Sequence, residues 1–131
     1  MAGGFAFKVT TNFFDRMDWL LKLTDVALVG SVYRESERLM TMAKQLTPVD
    51  TGNLRASGRV EGPLDVSSHG VTYVLAYGGA ALEYALRIHE DLNMRHAVGQ
   101  AKFLETPVRE EVGSGRSETR VMADMRAQGI V

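Results

Sequence analysis

The sequence predicts an α+β fold: a long amphipathic helix packed on a small antiparallel β-sheet, followed by a long loop and a C-terminal helix. Three observations predict it. Residues 24–46 carry Val29, Val32, Ser36, Leu39, Ala43 and Leu46 in alternating steps of three and four, the spacing of one helical face, with Arg34, Glu35, Glu37, Arg38 and Lys44 on the others. Residues 54–62 and 69–78 then concentrate β-branched and aromatic residues between glycine-rich turns, which reads as two antiparallel strands joined through "PLDVSS". Last, Phe103, Leu104, Pro107 and Val108 form an apolar stripe, and a proline is tolerated only near the start of a helix, so a helix begins at Glu105 or Thr106.

The remaining elements follow in order. Residues 1–12 are glycine-rich and read as a flexible N-terminal arm. Asn12 leads into a short helix with Phe13, Met17, Leu20 and Leu21 on one side. Thr24 or Asp25 caps the long helix, and Pro48 disfavours helix at Thr47. "TPVDTGNL", residues 47–54, is a turn: Gly52 can take a positive φ, and Asp50 can accept from backbone N–H groups two residues on. Residues 82–91 fit a helical turn or a strand end, with helix preferred. "GSG" at 113–115 breaks the C-terminal helix before a narrow apolar face of Val121, Met122 and Met125.

Composition bounds the function. With 131 residues the chain is expected to form a single domain over residues 1–131, large enough to hold a core without disulfides or a structural metal; it has no cysteine. Fifteen Lys and Arg against 16 Asp and Glu leave no overall charge to draw the chain to nucleic acid or anionic lipid. No apolar run approaches the roughly 18 residues of a membrane span, and the N-terminus lacks a signal-peptide pattern, so synthesis and use in the cytoplasm are expected.

The densest chemistry lies in "IHEDLNMRHAVGQAKFLETPV", residues 88–108. His89, Glu90 and His96 are metal-ligand types, but a helical zinc site needs its second histidine four residues after the first, and position 93 is Asn. No Ser/His/Asp arrangement has a nucleophile elbow around it, and neither glycine cluster matches a phosphate-binding loop. Neither catalysis nor a cofactor is expected. Arg55, Arg59, Arg87, Arg95, Lys102 and Arg109, in or beside the strands and the loop, could form a local positive patch on an otherwise balanced surface, although a solvated face with paired acids is the favoured reading.

Two segments resemble a known family. "AKQLTPVDTGNLRASGRVE" is similar to the signature that follows the first long helix of the siphophage head-tail connector proteins, the neck or tail-completion family that includes minor tail protein Z of lambda-like phages. The matching positions are Pro48, Asp50, Thr51, Gly52, Leu54, Arg55 and Ser57. "YALRIHEDLNMRHAVGQAKFLETPV" resembles that family's second block through Tyr84, Ala85, His89, Glu90, Gln100, Lys102, Phe103, Leu104 and Pro107.

The resemblance implies a structural virion protein, not an enzyme, made in the host cytoplasm and placed at the head-tail junction. It implies a homo-oligomeric ring, hexameric or dodecameric, contacting adaptor or stopper connectors on one side and the tail tube or terminator on the other. Genomic DNA would pass through the ring without sequence reading and without any membrane. Under that reading Tyr84, His89, Glu90, Arg95, His96, Gln100, Lys102, Phe103 and Leu104 form a partner-docking loop, with Tyr84 and Phe103 as apolar anchors, and Arg55, Arg59 and Lys102 line the lumen. A tail terminator capping the tube is the neighbouring alternative. More distant ones are a small metal-dependent hydrolase built on His89, Glu90 and His96, and a sequence-independent DNA-binding module.

Overall fold

The computed structural model describes residues 5–10, 18–48, 52–67, 70–78, 85–93 and 99–129. The fold is α+β, with a long helix on a three-stranded antiparallel sheet. Strand β1 (Phe5–Thr10) and strand β2 (Arg59–Ser67) flank the central strand β3 (Gly70–Tyr77), giving the order β1-β3-β2. Helix α1 (Asp18–Leu46) crosses the sheet, a short α2 (Asn53–Ser57) precedes β2, and α3 (Ala85–Glu90), α4 (Glu105–Gly113) and α5 (Arg116–Ala127) complete the chain.

Helix α1 forms where the three-and-four spacing predicts it. Leu28, Val32, Leu39, Met40 and Ala43 are buried along one stripe, while Tyr33, Arg34, Glu37 and Arg38 face outward. Each fully buried large apolar side chain on that stripe contributes about 1.5–3 kcal/mol. Ser31, Glu35 and Ser36 share the stripe; the Ser36 hydroxyl donates to the Val32 carbonyl at 2.9 Å, which satisfies a polar group that would otherwise be stranded. The core has two parts along α1. One joins Leu39, Met40 and Ala43 to Leu75, Tyr77, Phe103 and Leu104, and the other joins Leu28 and Val32 to Val71, Tyr73, Val121 and Met125.

Three sequence expectations are corrected. Residues 5–10 of the expected arm are strand β1, paired with β3 from Phe5↔Tyr77 to Thr10↔Thr72. The alternation in "FAFK", with Phe5 and Phe7 half-buried and Ala6 and Lys8 exposed, is a period of two that the preceding glycines obscure. Helix α1 runs unbroken through Thr24 and Asp25, so neither caps a new helix; Phe13 and Met17 lie outside the described residues. Leu54 sits on α2 rather than on a strand, and β2 instead extends through the expected connection as far as Ser67. Pro63 can stand there because β2 is an edge strand, where a missing N–H costs no ladder bond, and pairing with β3 shifts register on either side of Leu64. At the C-terminal end the expected break separates α4 from α5. The break falls at "GSG" as predicted, with Gly115 at φ 84, a left-handed backbone that favours glycine.

Candidate functional site: the joint between the two motif segments

Although separated in sequence, the two motif segments are packed together. The Gln100 N–H donates to the Leu46 carbonyl at 2.8 Å, and Gly99 lies against the backbone of residues 46–48. A Cβ on Gly99 would stand 2.6 Å from both the Leu46 carbonyl oxygen and the Pro48 nitrogen, at a φ of +88. Both effects act against any side chain there. We therefore expect Gly99→Ala to lower stability by about 2–4 kcal/mol, from left-handed strain plus overpacking against backbone. Urea unfolding with an unchanged m-value checks it.

Above that contact, Thr47 and Tyr77 close the core. The Thr47 hydroxyl donates to the Ala43 carbonyl at 2.8 Å, so its single proton is spent and the Tyr77 hydroxyl donates to Thr47 Oγ1 across 2.9 Å. Burial pushes the Tyr77 phenol up to about 12. On the other side of Thr47, the Arg55 guanidinium donates to the Thr47 carbonyl at 3.4 Å. Pro48 and Leu54 are buried, and Gly52 adopts φ 82 in front of α2, as the turn reading requires. Asp50 and Thr51 lie outside the described residues.

His89 is the centre of the second segment. Its side chain is fully buried, with ring centroids of Phe5 at 4.7 Å, Phe103 at 5.0 Å and Phe7 at 5.5 Å. The Glu105 N–H donates to Nε2 at 3.2 Å, so Nε2 must be the unprotonated nitrogen. The proton therefore sits on Nδ1 and is donated to the Glu90 carboxylate at 2.9 Å. The His89 carbonyl also accepts the Lys102 N–H at 2.7 Å, and the Lys102 ammonium pairs with Glu90 and, at 3.4 Å, with Glu105. One residue thus fastens α3 to the first turn of α4.

That geometry sets an acid response. Burial holds the His89 pKa below the ordinary 6.5, the Glu90 bond opposing it and losing. The unfolded imidazole takes up a proton as pH falls through 6.5 while the folded one resists, so the unfolded state binds more protons. Stability therefore falls from pH 6.5 down to the folded value and levels off below it. We expect His89→Gln, which keeps an acceptor for Glu105 and cannot be protonated, to remove that limb from a plot of unfolding free energy against pH.

Several expected interface residues have other roles. Phe103 and Leu104 are completely buried within the chain, where Phe103 packs edge-on to Tyr77 at 4.9 Å, which leaves neither side chain free to anchor in a partner. The loop reading fails for them because a polar context in sequence hides an apolar pair that turns inward. His89 is likewise interior. Glu90 and Gln100 are exposed, and Lys102 is half-buried. Tyr84, Arg95 and His96 lie outside the described residues.

Two of the three lumen candidates, Arg59 and Lys102, are paired with acids. Arg59 binds Glu61 at 2.8 Å and the Gly78 carbonyl at 2.9 Å, Lys102 is held by its two glutamates, and Arg55 is partly buried. As for metal binding, both ring nitrogens of His89 are already engaged.

Sequence reasoning missed two features. Glu35, on the buried stripe of α1, accepts from Ser117 at 2.7 Å and from Arg120 at 2.7 Å, and Arg120 continues to Glu111 at 2.8 Å. The signal was a glutamate on an apolar stripe. The second feature is a pair of exposed leucines, Leu86 and Leu92, on and just after α3. Comparisons with protein-family models, curated proteins and solved structures find no match to this chain.

Proposed function

We propose that this protein is a structural component of a tailed-phage head-tail junction, a neck or tail-completion subunit that assembles into a ring between the head connectors and the tail. The observation that carries the reading is the pair of motif segments, in order, together with their packing into one joint at residues 46–48 and 99–104. Motif residues that are buried, such as Leu54, Ala85, His89, Phe103 and Leu104, act in it as the frame of the subunit. The contacts with neighbours fall to the exposed surface around them. Among the described residues the sheet has an open edge on each side and exposed apolar side chains at both ends, which suits lateral association.

The test is complementation. Purified protein is added to phage heads and tails produced without it, and infectivity and particle joining are measured together with the mass of the protein alone. Restored joining, with the protein located at the neck by electron microscopy, supports the reading. Binding to tails alone, with control of tail length, would move the protein to the terminator position. Indifference to both particles would overturn the assignment.

A further inference from the structure

Helix α4 starts with little support from its own segment. Its cap position is Leu104, whose side chain can accept nothing. In the first turn, the Thr106 N–H donates to the Lys102 carbonyl at 2.9 Å, Pro107 has no N–H, and the Val108 N–H reaches the Leu104 carbonyl only at 3.4 Å. The Glu105 N–H finds its acceptor on another helix, at Nε2 of His89. Just before the turn, Lys102 sits at φ 55, a left-handed backbone that a residue with a Cβ seldom adopts, and is held there by its N–H bond to the His89 carbonyl at 2.7 Å. Two of the bonds that hold the start of α4 therefore end on His89. The chain on either side is fixed without it: the Gln100 N–H is bound to the Leu46 carbonyl, and α4 and α5 are tied to α1 through Glu35, Ser117, Arg120 and Glu111.

We propose that His89 is a proton-sensitive cap of α4: uptake of one proton at Nε2 lets the first turn of the helix, residues 105–108, open while the rest of the fold stays in place. Nε2 holds the lone pair that accepts the Glu105 N–H. A proton taken from solvent converts that acceptor into a second donor, so two N–H groups face each other and the bond is lost. The positive end of the α4 backbone points at the same atom and opposes a cation there. Once the turn lets go, Lys102 can leave its left-handed backbone, which favours the open form. The groups around His89 are Glu90 of α3, Lys102 of the preceding loop, and Glu105 of α4, whose carboxylate also holds Arg109. Strand β1 brings the rings of Phe5 and Phe7, with Lys8 exposed on its opposite face, and Tyr77 of β3 keeps a neutral phenol. Bonds from Lys102 and His89 hold Glu90 below its ordinary 4.5, and the Glu90 bond holds Lys102 above its ordinary 10.5, so both stay charged between pH 7.5 and 5. Burial keeps the closed imidazole below 6.5, whereas the solvated one in the open turn returns to about 6.5. The open form therefore binds more protons, and its share rises as pH falls from 6.5 toward the closed value. This local opening is independent of the junction reading.

The experiment is NMR amide exchange of the full chain at pH 7.5 and pH 5, corrected for the intrinsic pH dependence of exchange, with the nitrogen resonances of the His89 ring followed alongside. At pH 7.5 the ring should show the tautomer protonated at Nδ1. Protection of the Glu105, Thr106 and Val108 amides should fall by about five- to thirtyfold at pH 5, thirtyfold being the limit for one imidazole released at 6.5. Their exchange should also be insensitive to low urea, unlike that of Leu39 in α1 and Leu75 in β3, which need the whole domain to unfold. His89→Gln keeps an acceptor and takes up no proton, so protection of the three amides should be the same at both pH values. Glu90→Gln, at an exposed position, retains the imidazole and serves even where His89→Gln does not fold. It removes a carboxylate that raises the closed-state pKa, so the drop in protection should be larger than in the wild type. A wild type whose α4 amides keep their protection at pH 5 overturns the proposal. So do α4 amides that exchange with the urea dependence of Leu39 and Leu75, a pH 7.5 tautomer protonated at Nε2, a pH effect that survives His89→Gln, or a smaller drop in Glu90→Gln.

Discussion

Phe103→Ala should lower the unfolding free energy by about 3–5 kcal/mol, within the range for deleting a buried phenylalanine. For a domain of this size that is a fall of roughly 10–20 °C in Tm. Phe103 is 0% exposed, and its ring meets Tyr77, His89 and Phe5 at centroid distances of 4.9, 5.0 and 6.1 Å. Truncation leaves a cavity bordered by elements from distant parts of the chain, the strands β1 and β3 and the helix α3, which cannot all collapse into it. Phe103→Leu should cost only about 1–1.5 kcal/mol, since most of the volume is retained. A second readout separates this from a general loss of stability. With the phenyl ring gone, water reaches His89, the burial that depresses its pKa weakens, and the value rises toward 6.5. The acid limb above should shrink accordingly, which an NMR titration of His89 in folded Phe103→Ala measures directly. Failure of that variant to assemble would report on folding and says nothing of docking.

The contrast between Phe103 and Val32 shows what was legible in the sequence. Val32 lies in a segment whose spacing recurs over six apolar-face positions, so its burial follows from local pattern alone. Phe103 lies after a polar loop, where no period exists, and its inward orientation depends on β1 and α3 arriving from elsewhere. The same difference explains β1. Six residues in extended conformation are stabilised by pairing with β3, a partner more than sixty positions away, and nothing within "FAFKVT" distinguishes that from an arm except two alternations. At the site, the described motif positions lie close together in the structure, with the His89–Glu90–Lys102 cluster among them. Their exposure was not legible, because side-chain polarity predicts burial poorly where hydrogen bonds from backbone, such as Glu105 N–H to His89, satisfy the polar atoms.

Glu35→Ala should lower the unfolding free energy by about 2–3 kcal/mol. Glu35 is 7% exposed, and its carboxylate takes the Ser117 hydroxyl and both Nε and an Nη of Arg120. Breaking a buried pair from one side commonly costs about 3–5 kcal/mol because the partner charge is left without compensation. The cost here is lower, since Arg120 keeps Glu111 at 2.8 Å and retains some contact with water. Glu111 is in turn held by Arg116, whose bond keeps its pKa below the usual 4.5, with Arg120 adding to the effect. A depressed carboxylate contributes stability above its unfolded pKa and loses it as pH falls through the folded value, so the Glu111 contribution weakens only below about pH 4.5, well after the His89 limb has begun. The decisive comparison is between Glu35→Ala and the triple change Glu35→Leu, Ser117→Ala, Arg120→Leu. If the network serves mainly to fix the docking of α4 and α5 on α1, the apolar triple variant should recover most of the lost stability, because the desolvation of the charges disappears with the charges. It would retain a cooperative melt but lose uniqueness of helix packing, visible as broadened methyl resonances at Val121 and Met125. A triple variant as unstable as Glu35→Ala would instead show that the ion pairs themselves, and not merely their satisfaction, hold the C-terminal helices in place.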